Sequence, residues 1–150
     1  MDAEIYILND SQHLGSPDVY WTLILTEKGR CYCTLDGTTS EYGKGIIIFP
    51  TGTPVGDLSY SPEFKGSIIQ IPDKLVTGSS SPVSPEFVIR IKEKQYLDFS
   101  SADKNEEMRM ATNYWFLIKE ALADFDNIYS RYALANLCTA LMKFCERQCC

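Results

Sequence analysis

A single histidine, His13, among 150 residues removes most metal and general-base chemistry at the outset. A metal centre with an open coordination position needs several imidazoles and a carboxylate, and a serine hydrolase needs a base beside its nucleophile. His13, in a polar opening stretch, reads as a surface residue. The chain also lacks a Gly-x-Ser-x-Gly turn, a phosphate-binding Gly-x-x-x-x-Gly-Lys-Ser/Thr loop and a dinucleotide glycine fingerprint. No turnover, no metal and no cofactor are therefore expected. No apolar run approaches the ~20 residues of a membrane span. The acidic opening Met1-Asp2-Ala3-Glu4 lacks the basic lead of a secretory signal, so a cytoplasmic location is expected. Cations are scarce too. Lys and Arg number 14 against 20 Asp and Glu, a net charge of -6, so these residues are not expected to grip duplex DNA. Cysteine is missing from the whole stretch between Cys33 and Cys138, which does not suit a secreted disulfide framework. The six cysteines read as reduced thiols.

What is present begins with short β-rich runs punctuated by Gly, Pro, Asp and Ser. The expected strands are Glu4–Leu8, Val19–Thr26, Arg30–Leu35, Thr39–Tyr42, Ile46–Phe49, Asp57–Tyr60, Ser67–Ile71 and Phe87–Ile91. Many short strands at close spacing predict a barrel or double-sheet sandwich. Lys28-Gly29 and Asp36-Gly37 tolerate positive φ, and each is expected to turn a hairpin. The stretch Thr77 to Pro85, rich in serine and proline, reads as a loop.

After Ser100 the period changes. Met108, Ala111, Trp115, Ile118 and Leu122 recur at three- and four-residue steps and predict a helix from Ala102 to Ala123. A second stripe, Leu134, Leu137, Cys138, Leu141 and Cys145, predicts another. A short link between them makes an antiparallel pair.

Three segments taken in order resemble the cupin-type effector domain of AraC-family transcription regulators. The first runs from Trp21-Thr22-Leu23-Ile24-Leu25-Thr26-Glu27-Lys28-Gly29 into Cys31-Tyr32-Cys33-Thr34-Leu35-Asp36-Gly37. The second is Tyr42-Gly43-Lys44-Gly45-Ile46-Ile47-Ile48-Phe49-Pro50, and the third Ser61-Pro62-Glu63-Phe64-Lys65-Gly66-Ser67-Ile68-Ile69-Gln70-Ile71. The resemblance covers about Tyr20 to Arg147. It departs from the family at Lys44, where Asp is common, and in having no histidine near the barrel mouth. The implied fold is mainly β: a cupin-like jelly-roll barrel over residues 1–99, followed by two antiparallel helices over 100–150 that pack on it and dimerise. The implied role is ligand sensing, with DNA bound only through a carboxy-terminal helix-turn-helix domain expected to follow this chain.

By the same resemblance the Thr22, Ile24 and Thr26 face of its strand looks inward, opposite Trp21, Leu23 and Leu25. Buried without partners, Thr22 and Thr26 would each cost a few kcal/mol, which a pocket with water or ligand would relieve. The expected lining for a small-molecule effector is Thr22, Ile24, Thr26, Cys33, Phe49 and Tyr60, although the commoner role of an aromatic on such strands is to fill the barrel or cover its outside. Cys31 and Cys33, two apart on one strand face, could co-ligate a metal but read better as small apolar wall residues. Phe144 and Phe116 sit off the main helical stripes, so a homodimer is expected through the second helix, centred on Leu141 and Phe144. The alternatives are a stand-alone cupin enzyme or small-molecule binding protein, and a purely structural dimerisation module.

Overall fold

The computed structural model describes residues 5–8, 14–78, 82–124 and 126–149. His13 and Cys150 lie outside the described residues. The elements in chain order are β1 (Tyr6–Leu8), β2 (Tyr20–Lys28), β3 (Cys31–Leu35), β4 (Thr38–Tyr42), β5 (Gly45–Phe49), β6 (Asp57–Tyr60), β7 (Lys65–Pro72), α1 (Asp73–Thr77), α2 (Pro85–Glu93), β8 (Tyr96–Asp98), α3 (Asn105–Ala123) and α4 (Ile128–Cys149). A 3-10 turn, Ala102–Lys104, leads into α3.

The strands form two antiparallel sheets, one five-stranded in the order β1-β7-β2-β5-β8 and one three-stranded in the order β4-β3-β6. One face of the larger sheet carries Trp21, Leu23, Leu25, Ile46, Ile48, Ile69 and Ile71 into a core shared with all four helices. Its other face carries Ile24, Ile47, Phe49 and Ile68 against Cys31 and Cys33 of the smaller sheet. A strand buried on both faces needs apolar residues at every position, which explains the uninterrupted Ile46-Ile47-Ile48-Phe49. α3 and α4, of 19 and 22 residues, outweigh every strand, so the architecture is mixed α/β rather than mainly β. Helix residues from Met108 to Cys145 share one core with the larger sheet.

Two local expectations are corrected. Phe87–Ile91 is not a strand but the middle of α2. Ser84 accepts a hydrogen bond from the Phe87 amide at 3.2 Å and Pro85 takes the first helical position, which is a capped helix start. Phe87 and Ile91, one turn apart, are buried while Ile89 is exposed, so the period is 3.6. Phe87 stacks on Trp21 at 6.3 Å between centroids, and the Trp21 indole donates to Asp73 at 3.0 Å. The sheet takes its last edge strand instead from β8, paired with β5 at Gly45↔Asp98.

Lys28-Gly29 is likewise not a hairpin, because β2 and β3 belong to different sheets. The chain turns a corner there, alongside the parallel corner between β6 and β7. Ser61 accepts from the Arg30 amide at 2.9 Å and its own amide donates to the Arg30 carbonyl at 3.0 Å. Gly29 has φ +80, and a Cβ there would stand 2.7 Å from Ser61 Oγ and 2.8 Å from the Phe64 backbone. Asp36-Gly37, with φ of 52 and 78, is the expected hairpin turn between the paired strands β3 and β4.

A carboxylate on α4 fastens the helical layer to the start of α2. Glu146 accepts from the Ser84 amide at 2.6 Å and from Lys143 at 3.2 Å, and Lys143 also donates to the Pro82 carbonyl at 2.8 Å. The Ser84 hydrogen bond, helped by Lys143, holds the Glu146 carboxyl below the usual carboxylate range. A carboxyl depressed in the folded state adds stability above its unfolded pKa and loses it as pH falls through the folded one. Acid denaturation should therefore show a contribution on the order of 1–2 kcal/mol from this contact. Glu146→Gln should remove it, flattening the stability profile below the carboxylate range; an unchanged acid limb would show that the contact adds nothing.

Candidate functional site

The space between the two sheets brings together the residues that the sequence singles out. β2 alternates, so Thr22, Ile24 and Thr26 point toward the three-stranded sheet while Trp21, Leu23 and Leu25 point toward the helices. Thr22, Ile24, Thr26, Cys33 and Phe49 are all buried, and Tyr60 is half-buried at the rim. Ile24, Cys33 and Phe49 pack with Cys31, Ile47 and Ile68, bordered by Tyr42, Leu58, Tyr60, Phe64 and Tyr96. At the rim the Tyr60 and Phe64 rings lie 4.4 Å apart, and those of Tyr42 and Tyr96 meet edge-on at 5.1 Å.

Gln70 joins this set without having been anticipated. It faces Thr22 directly in the β2/β7 register and is fully buried. Its Nε2 donates to Thr22 Oγ1 at 2.9 Å, and its Oε1 accepts from the Gly15 amide at 2.8 Å. A buried amide paired at both ends holds the segment before β2 against the interior. The signal was present in the sequence as the one polar residue inside Ile68-Ile69-Gln70-Ile71. Thr26, further along the same face of β2, differs. Its hydroxyl is buried and has no hydrogen-bond partner among the described residues.

Cys31 and Cys33 are free and buried on one face of β3. They share a hydrogen bond, and this contact together with burial raises the Cys31 thiol well above its ordinary value. Burial pushes Cys138 up to about 12 and raises Cys145 further. The hydrogen bond shared with Cys31 draws the Cys33 thiol below its ordinary value, against its burial. Cys31, Cys138 and Cys145, protonated and enclosed, act as small apolar side chains rather than nucleophiles. Among the described residues no group of three or more His, Cys, Asp and Glu side chains gathers where it could hold a metal ion. No helix among them is long and apolar enough to cross a membrane.

The expected interface residues lie elsewhere than expected. Leu141 and Phe144 are completely buried within the protomer. Phe144 contacts Phe99 at 6.2 Å and Tyr114 at 5.6 Å between ring centroids, closing the core between α3, α4 and the strand that precedes them. They are therefore core residues, and not the centre of a surface between copies. The exposed apolar side chains of this layer are Met110, Phe116 and Leu117 on α3 and Ile128, Tyr129 and Tyr132 on α4.

Comparison with known proteins returned no matching family, and no curated protein matches the chain.

Proposed function

We propose that this chain is the ligand-sensing and dimerisation half of an AraC-type bacterial transcription regulator, built on a cupin-like arrangement of its two sheets and working in the cytoplasm. The observation that carries the sensing part is the buried hydroxyl of Thr26, unpartnered among the described residues, on the same inter-sheet face as the Thr22–Gln70 pair. A buried hydroxyl without a partner costs roughly 1–3 kcal/mol, and a small hydroxylated effector or a water between the sheets would recover it. Gln70 also holds the Gly15 amide, so a ligand that competes for the amide of Gln70 would release or redirect the segment before β2. A ligand that prefers one arrangement of that segment shifts the equilibrium toward it, and the shift reaches DNA only through a separate reader domain. No catalytic role is assigned to any residue here.

Dimerisation is assigned to the outer face of α3, where Met110, Asn113, Tyr114 and Leu117 line a shallow groove of about 280 Å3. Two-fold pairing would let this face meet its own copy. Sedimentation equilibrium should return a dimer of the 17.0-kDa chain, and Leu117→Glu a folded monomer. In parallel, thermal-shift screening with monosaccharides and other small polyols should raise the melting temperature, and Thr26→Val should weaken the hit at least about tenfold. A monomeric wild type would overturn the dimerisation assignment, and a hit indifferent to Thr26→Val would overturn the inter-sheet one.

A further inference from the structure

On the opposite side of the large sheet, where α3 crosses the end of the β2/β7 pair, a cleft of about 350 Å3 lies outside the core. Its floor is Leu25 and Trp115, and Phe116, 60% exposed, forms one wall. Lys65 and Lys119 stand at its edge with Glu27, and Ser67 and Thr112 complete it.

Three observations converge on this cleft. First, Trp115 is 4% exposed, and its indole N–H is buried with no partner among the described residues. The indole is a donor only, so what satisfies it must be an acceptor. Trp21, the other tryptophan, has such an acceptor in Asp73. Second, Lys65 and Lys28 sit directly opposite one another in the β2/β7 register, with the register shift at Glu27 between Thr26 and Lys28. Like charges facing each other across strands destabilise the pair unless something negative lies between or beside them. Lys65, Lys119 and Lys28 form no ion pair among the described residues, so in a chain of net charge -6 three unpaired ammonium groups gather around one end of the sheet. Glu27 is the one carboxylate lining the cleft, which leaves the cleft cationic. Third, the cleft also presents the aromatic and apolar side chains Phe116, Trp115 and Leu25, and its volume is at the lower end for small-molecule sites.

We propose that this cleft binds a small organic acid with an apolar body: the carboxylate accepts from the Trp115 indole N–H and pairs with Lys65 and Lys119, while the body lies against Phe116 and Leu25. The volume accommodates a ring or a short chain. The site is separate from the space between the sheets, faces the other side of β2, and does not depend on that space holding a ligand.

The test uses benzoate and hexanoate as probes of aromatic and aliphatic bodies, with benzamide as the uncharged isostere of the first. Ionic strength is held constant with chloride. The two indole N–H resonances of 15N-labelled protein are followed in titrations, the Trp115 signal being assigned by its loss in Trp115→Phe. The Trp115 resonance should move with at least one acid while that of Trp21 stays, and benzamide should bind at least about tenfold more weakly. Lys65→Met and Lys119→Met, both exposed and tolerable to the fold, should each raise the Kd about two- to fivefold, while Lys92→Met on α2, an equal change of charge outside the cleft, should leave it unchanged. No movement of the Trp115 resonance with either acid up to about 10 mM overturns the proposal. So does binding that is indifferent to Lys65→Met and Lys119→Met, or lost equally with Lys92→Met. If benzoate alone binds, the body must be aromatic; if both acids bind, the carboxylate dominates.

Discussion

Phe144→Asp is expected to abolish folding, not to release a folded monomer. The ring is completely enclosed and touches Phe99 and Tyr114, so the substitution removes a large apolar side chain and leaves a carboxylate with no partner in its place. Truncation alone, Phe144→Ala, should cost about 3–5 kcal/mol through lost burial and the cavity left behind. Total stability for a domain of this size is about 5–15 kcal/mol, so Ala should survive with a large fall in melting temperature and Asp should not. Phe116→Asp supplies the contrast. That ring is 60% exposed, and its replacement should leave the stability within about 0.5 kcal/mol. Circular dichroism and urea unfolding of the three variants decide the matter. A cooperative, folded Phe144→Asp protein would show that the closure of the core by α4 is wrong.

Gly45→Ala is the second large effect. Gly45 opens β5 with φ +151, a conformation that an L side chain rarely takes, and it faces Asp98 in the β5/β8 pairing. A Cβ at this position would run into the Leu97 carbonyl and come within 2.9 Å of the Tyr96 ring. Both obstacles belong to the last strand of the sheet, which is itself held by hydrogen bonds from the Phe99 amide and the Tyr96 hydroxyl to the Lys44 carbonyl, at 3.0 and 2.9 Å. Neither can shift without opening the edge of the sheet. Backbone strain and overpacking together should cost about 2–5 kcal/mol, measured as a lower urea midpoint. Amide hydrogen exchange should accelerate at Ile46, Leu97 and Phe99 before it does so in β2 and β7. A loss below about 1 kcal/mol would mean that β8 is not clamped at this point.

The sequence by itself determined the elements whose signals are local. The alternation of β2, the uninterrupted apolar run of β5, the turn at Asp36-Gly37 and the stripes of α3 and α4 are each written within a few residues, and each forms where its period places it. Alternation also sufficed to put Thr22, Ile24 and Thr26 on one face of β2, because side-chain direction along a strand is fixed by the backbone. The tertiary structure decided what each face meets. Lys28-Gly29 is a hairpin signal by residue type, but the chain turns between sheets there because Ser61 and Phe64 pack against it from a distant corner. Phe87 to Ile91 is short and apolar enough to read as a strand, and the Ser84-Pro85 cap together with the stacking on Trp21 makes it a helix. Phe144 lies off its helix stripe on paper, yet Phe99, Tyr114 and α3 surround it, whereas Phe116 on a neighbouring face has no such cover. Periodicity states which residues share a side of an element. Which of those sides is sealed, and whether a buried donor such as the Trp115 indole finds an acceptor, depends on contacts between residues far apart in the chain, and those exist only once the layers have packed.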